Sequence, residues 1–229
     1  MSTLLLRLEG PMQSWGTQSR FSVRDTGMEP SKSGVIGVLC AALGRPREEP
    51  LADLAGLHMG VRVDHQGVLR REYQTSGGTH LRGDNYGIVT ADGKSRRASQ
   101  SSRYYLADAS FLVGLEGDED LLRQLDAALA APVWQLSLGR KAFVPSVPIR
   151  LPDDPPDGPG IVERSLREAL EGYPWPEPRR DEPATDLRLV LEVDDPQGAE
   201  VRQDLPISFA ERQFGLRYVT SEQLPQPKG

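Results

Sequence analysis

An α+β fold built on a split βαβ core is what three features of this sequence predict. Strand-like and helix-like patterns alternate through residues 1–150. A polar segment, residues 75–102, breaks one strand in two. A proline-rich run, LPDDPPDGP at 151–159, then sets off a shorter C-terminal part. The chain's 229 residues can bury a sizeable core, and 38% hydrophobic with 26% charged residues is the balance of a globular protein.

Each element has its own signal. Thr3 to Leu8 reads as a strand, because Arg7 and Glu9 interrupt the short leucine run too early for a signal peptide. Pro30-Ser31-Lys32-Ser33 opens a helix with Ser31 as its cap. Val35, Leu39 and Ala42 recur at helical spacing with Ile36, Cys40 and Leu43 beside them, and Gly44 ends the run. Signals weaken from Arg45 to His58. Met59 to Asp64 alternates as a strand, and Gln66-Gly67 predicts a hairpin turn into Val68 to Tyr73. After Gln74 the pattern gives way to Gly, Ser, Thr, Asn, Asp and Arg, and it returns at Arg103 to Leu106 and Ser110 to Leu115. Asp118 to Ala131 is amphipathic through Leu121, Leu122, Leu125 and Leu129, and a short strand is expected from Trp134 to Leu138. The order strand, helix, paired strands, helix, strand is ferredoxin-like, with an inserted β-hairpin thumb at about 75–102. Residues 151–229 carry a helix near 160–171 and strands at Leu187 to Val193 and Leu216 to Thr220. They form a small C-terminal module or an elaboration packed on the first domain.

The net charge of −6 is unevenly spread. Residues 1–47 hold six basic groups against three acids, and residues 69–105 hold seven against three. Residues 139–150 add Arg140, Lys141 and Arg150 with no acid, while residues 151–205 hold fifteen acids against six arginines. Three basic segments favour a nucleic-acid-binding face despite the acidic total. No apolar run approaches the length of a membrane span, and Cys40, alone in an apolar stretch, excludes an intrachain disulfide; the cytoplasm is the expected location.

Three stretches are candidates for binding. GPMQSWG at 10–16 is a polar, glycine-bracketed loop, with Gln13, Ser14, Trp15 and Gly16 followed by Arg20 and Arg24. Trp15 is either a core residue or a stacking surface for a base. At the helix start, Ser31, Lys32 and Ser33 suit a phosphate, yet the Walker spacing is missing, and a capped helix with a solvated lysine explains the same residues. The second stretch is the insertion with Arg82, Lys94, Arg96, Arg97 and Arg103, interleaved with Tyr73, Tyr86, Tyr104 and Tyr105. It fits single-stranded nucleic acid, or a loop kept soluble by charge. The third is LGRKAF at 138–143, where Arg140 and Lys141 either meet a phosphate backbone or decorate an exposed turn. The histidines, His58, His65 and His80, have neither metal-ligand spacing nor a nucleophile motif, so no catalytic residue, metal or cofactor is expected. His80 is the one acid–base candidate.

The strand–GPMQSWG–PSKSG-helix combination, with RDTGMEPSKSGVIGVLCAALG and then LGRKAFVPS in the same order, resembles the CasD family of CRISPR-associated subunits of type I-E Cascade. The resemblance is strong over the first 45 residues, moderate at LGRK, and limited to position and character in the insertion. It implies a ferredoxin-like member of the repeat-associated RNA-binding superfamily that holds the 5′ handle of the CRISPR RNA and caps a filament of CasC subunits. It also implies a neighbouring CasA large subunit, target DNA met only through the complex, no membrane, and no cleavage of RNA. By the resemblance, GPMQSWG and the arginines after it line the handle pocket, Ser31, Lys32 and Ser33 meet phosphate, residues 75–102 form the thumb, and Arg140 with Lys141 complete a basic wall. A metal-independent ribonuclease processing precursor RNA, through His80 or His58, and a pure protein–protein scaffold are the alternatives.

Overall fold

Leu4, Leu6 and Leu8 face one side of the first strand and Leu5 the other, and all are buried, so β1 (Ser2–Gln13) lies within a sheet. The computed structural model describes residues 1–16, 22–77, 88–90, 92–94, 96–177 and 186–225, with backbone alone at Arg96 and Arg97. After β1 come β2 (Val23–Arg24), α1 (Lys32–Leu43), α2 (Ala52–Ala55), β3 (His58–His65), β4 (Val68–Ser76), β5 (Ile88–Val89), β6 (Arg96–Arg97) and β7 (Ser99–Gly117). Then follow α3 (Glu119–Ala130), β8 (Ile161–Val162), α4 (Leu166–Gly172), β9 (Leu187–Val193), β10 (Glu200–Ser208) and β11 (Gln213–Leu224). The result is a mixed α and β fold around one mostly antiparallel sheet, in the order β10-β11-β9-β3-β7-β1-β8.

The helix signals act as read. The Ser31 hydroxyl accepts from the Gly34 N–H, Gly44 closes α1 in the left-handed region at φ 70°, and the Asp118 carboxylate caps α3 through the Leu121 N–H. α1 and α3 cover one face of the sheet, packing Ile36, Leu39 and Leu125 on Leu6, Leu8 and Phe111. α4 covers part of the other face with Leu166 and Leu170 over Leu5, Leu112 and Leu191. It approaches because Gly60 and Gly114 sit opposite each other, where added Cβ atoms would come within 2.6 and 2.7 Å of those leucine side chains.

Four sequence expectations change. Gln66-Gly67 is not a hairpin turn: β3 and β4 run in one direction and both pair antiparallel with β7, His65 opposite Ser110 and Val68 opposite Ala107. Gly67 at φ 68° faces Asp108 at φ 55°, so the ladder is kinked rather than reversed. The true hairpin is β4 with β7, and it begins at Val68, well before residue 75. Trp134 to Leu138 is not a strand, because the N–H groups of Val133 and Trp134 donate instead to the carbonyls of Ala42 and Ala41 at the end of α1. The helix expected near 160–171 starts at Leu166, and the residues before it, Ile161–Val162, pair with β1 at the sheet edge. β10, unread in the sequence, joins β11 and β9 to continue the sheet beyond β3, so residues 186–225 share a sheet with the N-terminal strands.

Candidate nucleic-acid interface

The three motif stretches meet. The Gln13 amide donates to the carbonyls of Leu8 and Ala109 and accepts from the Trp15 indole N–H at 3.2 Å. Trp15 packs on the start of α1, where a Cβ on Gly34 would come within 2.8 Å of the ring. The Ser14 N–H donates to the Leu138 carbonyl, and Gly139, at φ 93°, passes so close that a Cβ there would lie 1.8 Å from the Ser14 carbonyl oxygen. Only glycine fits that approach. GPMQSWG, PSKSG and LGRK are therefore one interlocked unit, and the chain leaves it at Gly16 and returns at Thr26-Gly27, which bond back to Trp15.

Around this unit lies a group of cations at the base of the β4–β7 ribbon. Val23–Arg24 run parallel to Ser102-Arg103 of β7, which brings Arg24 alongside Arg103. Arg140 reaches the same place from the 138–143 turn, donating to the Tyr104 carbonyl at 2.9 Å and to Glu72 at 3.3 Å, with its guanidinium 5.3 Å from the Phe143 ring centre. Burial lowers the Arg140 pKa, and the Arg103 and Arg24 guanidiniums push it down further against the opposing pull of Glu72. Like charges held this close favour an anion between or above them. Exposed Lys141 follows Arg140 in the turn, and β4 carries the exposed cations Arg70 and Arg71 and Tyr73, 61% exposed, with Arg71 and Tyr73 on the ribbon face opposite to Glu72.

Other expected site residues lie elsewhere, and these are corrections. Lys32 is 1% exposed: its ammonium pairs with Glu192 of β9 at 2.7 and 3.0 Å, so it does not present a charge to solvent. Burial lowers its pKa and Glu192 offsets part of the effect. The anion at the α1 start is the protein's own, since the Lys32 N–H donates to Asp204 of β10 at 2.8 Å. Burial alone would raise the Asp204 pKa, but Arg217, bound through two hydrogen bonds, holds it below the usual carboxylate range. Trp15, Gln13, Ser14 and Ser31 are likewise buried, the first 1% exposed, so Trp15 faces the core and not a base. Gly16 is exposed and Ser33 half-buried. Arg20, Arg82, Tyr86 and His80 lie outside the described residues, as do the side chains of Arg96 and Arg97 and much of the expected thumb.

No local pattern marked Glu72 as the partner of Arg140, nor the Lys32–Glu192–Arg217–Asp204 cluster, whose members are far apart in the chain and follow no local spacing. His58, at the start of β3, stands 3.8 Å from Asp194, and among the described residues no group of His, Cys, Asp or Glu could hold a metal ion. No helix among those residues is long and apolar enough to cross a membrane.

Comparison with known proteins identifies the family of the chain. The family described as CRISPR-associated protein (Cas_Cas5) matches residues 3–220. The CRISPR system Cascade subunit CasD of Escherichia coli (strain K12) is 34% identical over 158 residues, which are 62% of this chain and 66% of that protein, just under two thirds of its length. A crystal structure of a Cas protein superposes with a TM-score of 0.75 at 45% identity, covering 99% of this chain and 98% of the other. A chain of a CRISPR RNA-guided surveillance complex gives 0.77 at 38% identity, covering 97% and 91%.

Proposed function

This chain belongs to the Cas5 family of CRISPR-associated proteins, and from that premise we propose that it is the Cascade subunit that grips the repeat-derived 5′ handle of the CRISPR RNA and caps the filament of CasC subunits, next to CasA, without cutting RNA. The observation that carries the reading is the convergence of Arg24, Arg103 and Arg140 on one rigid unit built from the three motif stretches. Their charge is only partly matched by Glu72, so a phosphate backbone completes it. The β4–β7 ribbon with Tyr73 and Tyr104 supplies the thumb, and target DNA is met through the assembled complex. The β3-β7-β1-β8 order, with α1 after β1 and α3 after β7, supports a ferredoxin-like core.

Labelled repeat RNA incubated with the isolated protein tests this reading. Specific binding without cleavage, with or without divalent metal, is expected. Product accumulation that His80→Ala or His58→Ala abolishes would replace the reading by a ribonuclease, and absence of RNA binding together with retained assembly would leave a scaffold.

A further inference from the structure

A second groove runs along the outer side of α1, about 520 Å³ in volume. We propose that it seats one unstacked nucleobase of the same single-stranded RNA, against Trp134, with the attached phosphate held by Arg47 and Arg212. This inference rests on the RNA-binding reading above, but on different residues.

The floor is small and open. Gly34, Gly37 and Ala41 share one face of α1, and a Cβ added at Gly37 would touch nothing within 4 Å. Trp134, 48% exposed, stands at one end, fixed by the hydrogen bond from its N–H to the Ala41 carbonyl at 3.1 Å. A tryptophan held by its own backbone with half its surface in water is a rigid stacking platform. Phe209 and Phe214, whose rings lie 6.5 Å apart, form the other wall.

Charge selects the occupant. Among the described residues the lining includes Arg45, Arg47 and Arg212 and no carboxylate. Arg45 is bound bidentately to Asp53, whereas no ion pair engages Arg47 or Arg212 among the described residues. The larger cleft on the opposite face of the sheet differs: Glu9, Asp157 and Glu177 share its lining, and its arginines are already paired, Arg7 with Asp64 and Arg150 with Asp126 and Asp153. Arg212 also sits in the left-handed region at φ 54°, where glycine would be at ease, so its backbone is strained at the mouth of the groove. The groove is continuous with the motif unit, sharing Ser33, Gly34 and Gly139 with it, so one RNA strand can reach from the Arg140 site into it. Aromatic walls, unpaired arginines and continuity together fit a base and its phosphate.

The test uses the full chain and repeat-derived RNA carrying 4-thiouridine at successive positions. Ultraviolet crosslinks to Trp134 or to residues 209–214 are expected from one position of the strand. Gly37→Leu fills the groove from an open site, and Trp134→Ala removes the platform; each should weaken RNA binding by roughly five- to a hundredfold. Arg212→Gly relieves the strained backbone and removes the charge, so it should weaken binding while thermal stability holds or rises, a split that a purely structural role would not produce. Arg140→Ala separates the two readings. If it weakens binding while the groove variants and crosslinks stay silent, the groove proposal is overturned and the handle site stands. If neither set matters, both fall. Unchanged RNA affinity in Gly37→Leu and Trp134→Ala with lost binding of partner subunits would assign the groove to a protein and overturn the proposal.

Discussion

Two basic motif sites, the start of α1 and the 138–143 turn, have similar sequence character and opposite fates. At PSKSG, a serine cap, a lysine and a glycine surround a helix N-terminus, yet Lys32 is buried against Glu192 and the backbone donor is taken by Asp204. At LGRK, the glycine lets the turn press against Ser14, and Arg140 is left partly exposed between Arg24 and Arg103, paired with Glu72 and with Asp25 nearby. The difference lies in what the fold brings opposite each of them. The acidic C-terminal strands pack on α1 and neutralise it, while the β4–β7 ribbon adds further cations beside the turn. A motif that specifies a scaffold and one that specifies a surface look alike until the partner elements are placed.

The largest effect that sharpens this contrast is on stability. Lys32→Ala would leave the largely buried Glu192 with the Met59 N–H and the more distant Arg217, 3.6 Å away, to answer it. Breaking a buried pair in this way costs about 3–5 kcal/mol. Urea unfolding should show that loss, and Lys32→Met with Glu192→Gln should recover much of it. Molecules that remain folded should bind RNA normally, and a stable Lys32→Ala protein with weak RNA binding would reverse the roles of the two sites.

Arg140→Ala should behave in the opposite sense. Glu72 and Tyr104 are partly exposed, so water replaces the lost contacts and stability changes little. The lost charge-assisted phosphate contact should cost about 1.5–3 kcal/mol of RNA affinity. Equilibrium binding beside a denaturation curve reads both numbers, and a large stability loss with unchanged affinity would make Arg140 another scaffold residue.

The same contrast shows how far the sequence could be read. The capped ends of α1, the amphipathic pattern of α3 and the strand character of β1 and β3 were legible because caps and periodicity are local. The meeting of GPMQSWG with LGRK had no local signal and was implied only by the family resemblance. Gly67 was misread because a left-handed glycine serves a kink as well as a turn, and only the pairing of both flanking strands with β7 tells them apart. The basic excess of the first 47 residues also overstated the exposed charge. Lys32 is spent on Glu192, 160 residues away, and Arg7 on Asp64, 57 residues away, and neither pairing leaves a local trace.

The buried side of the comparison should respond to acid. At Glu29 and Asp204 burial alone raises the carboxyl pKa, but Arg188 with Arg202, and Arg217, more than offset it, so both lie below the usual carboxylate range. The unfolded chain therefore binds protons first. The stability these pairs add is complete above the ordinary carboxylate pKa and is lost as pH falls through the lowered folded values. Asp204→Asn should reduce stability by about 1–3 kcal/mol near neutrality and flatten the acid limb of a stability–pH curve. A limb as steep as that of the parent protein would show that acid unfolding is governed by other groups.

The smallest expected effect is a change in salt dependence, and it discriminates most finely between a local phosphate contact and general attraction. Each cation that displaces counterions from single-stranded RNA adds roughly 0.7 to the slope of log affinity against log salt. Arg103→Ala and Lys141→Ala should each make the slope shallower by about that amount, because both stand at the ribbon base and no ion pair engages either among the described residues. Arg167→Ala serves as the control. It sits on α4 across the sheet and is already committed to Glu171 and Glu222, so removing it leaves net negative charge there. If affinity followed total charge alone, all three variants would shift the slope alike. A shift confined to Arg103 and Lys141 would instead locate the RNA backbone on the face where the three motif stretches meet.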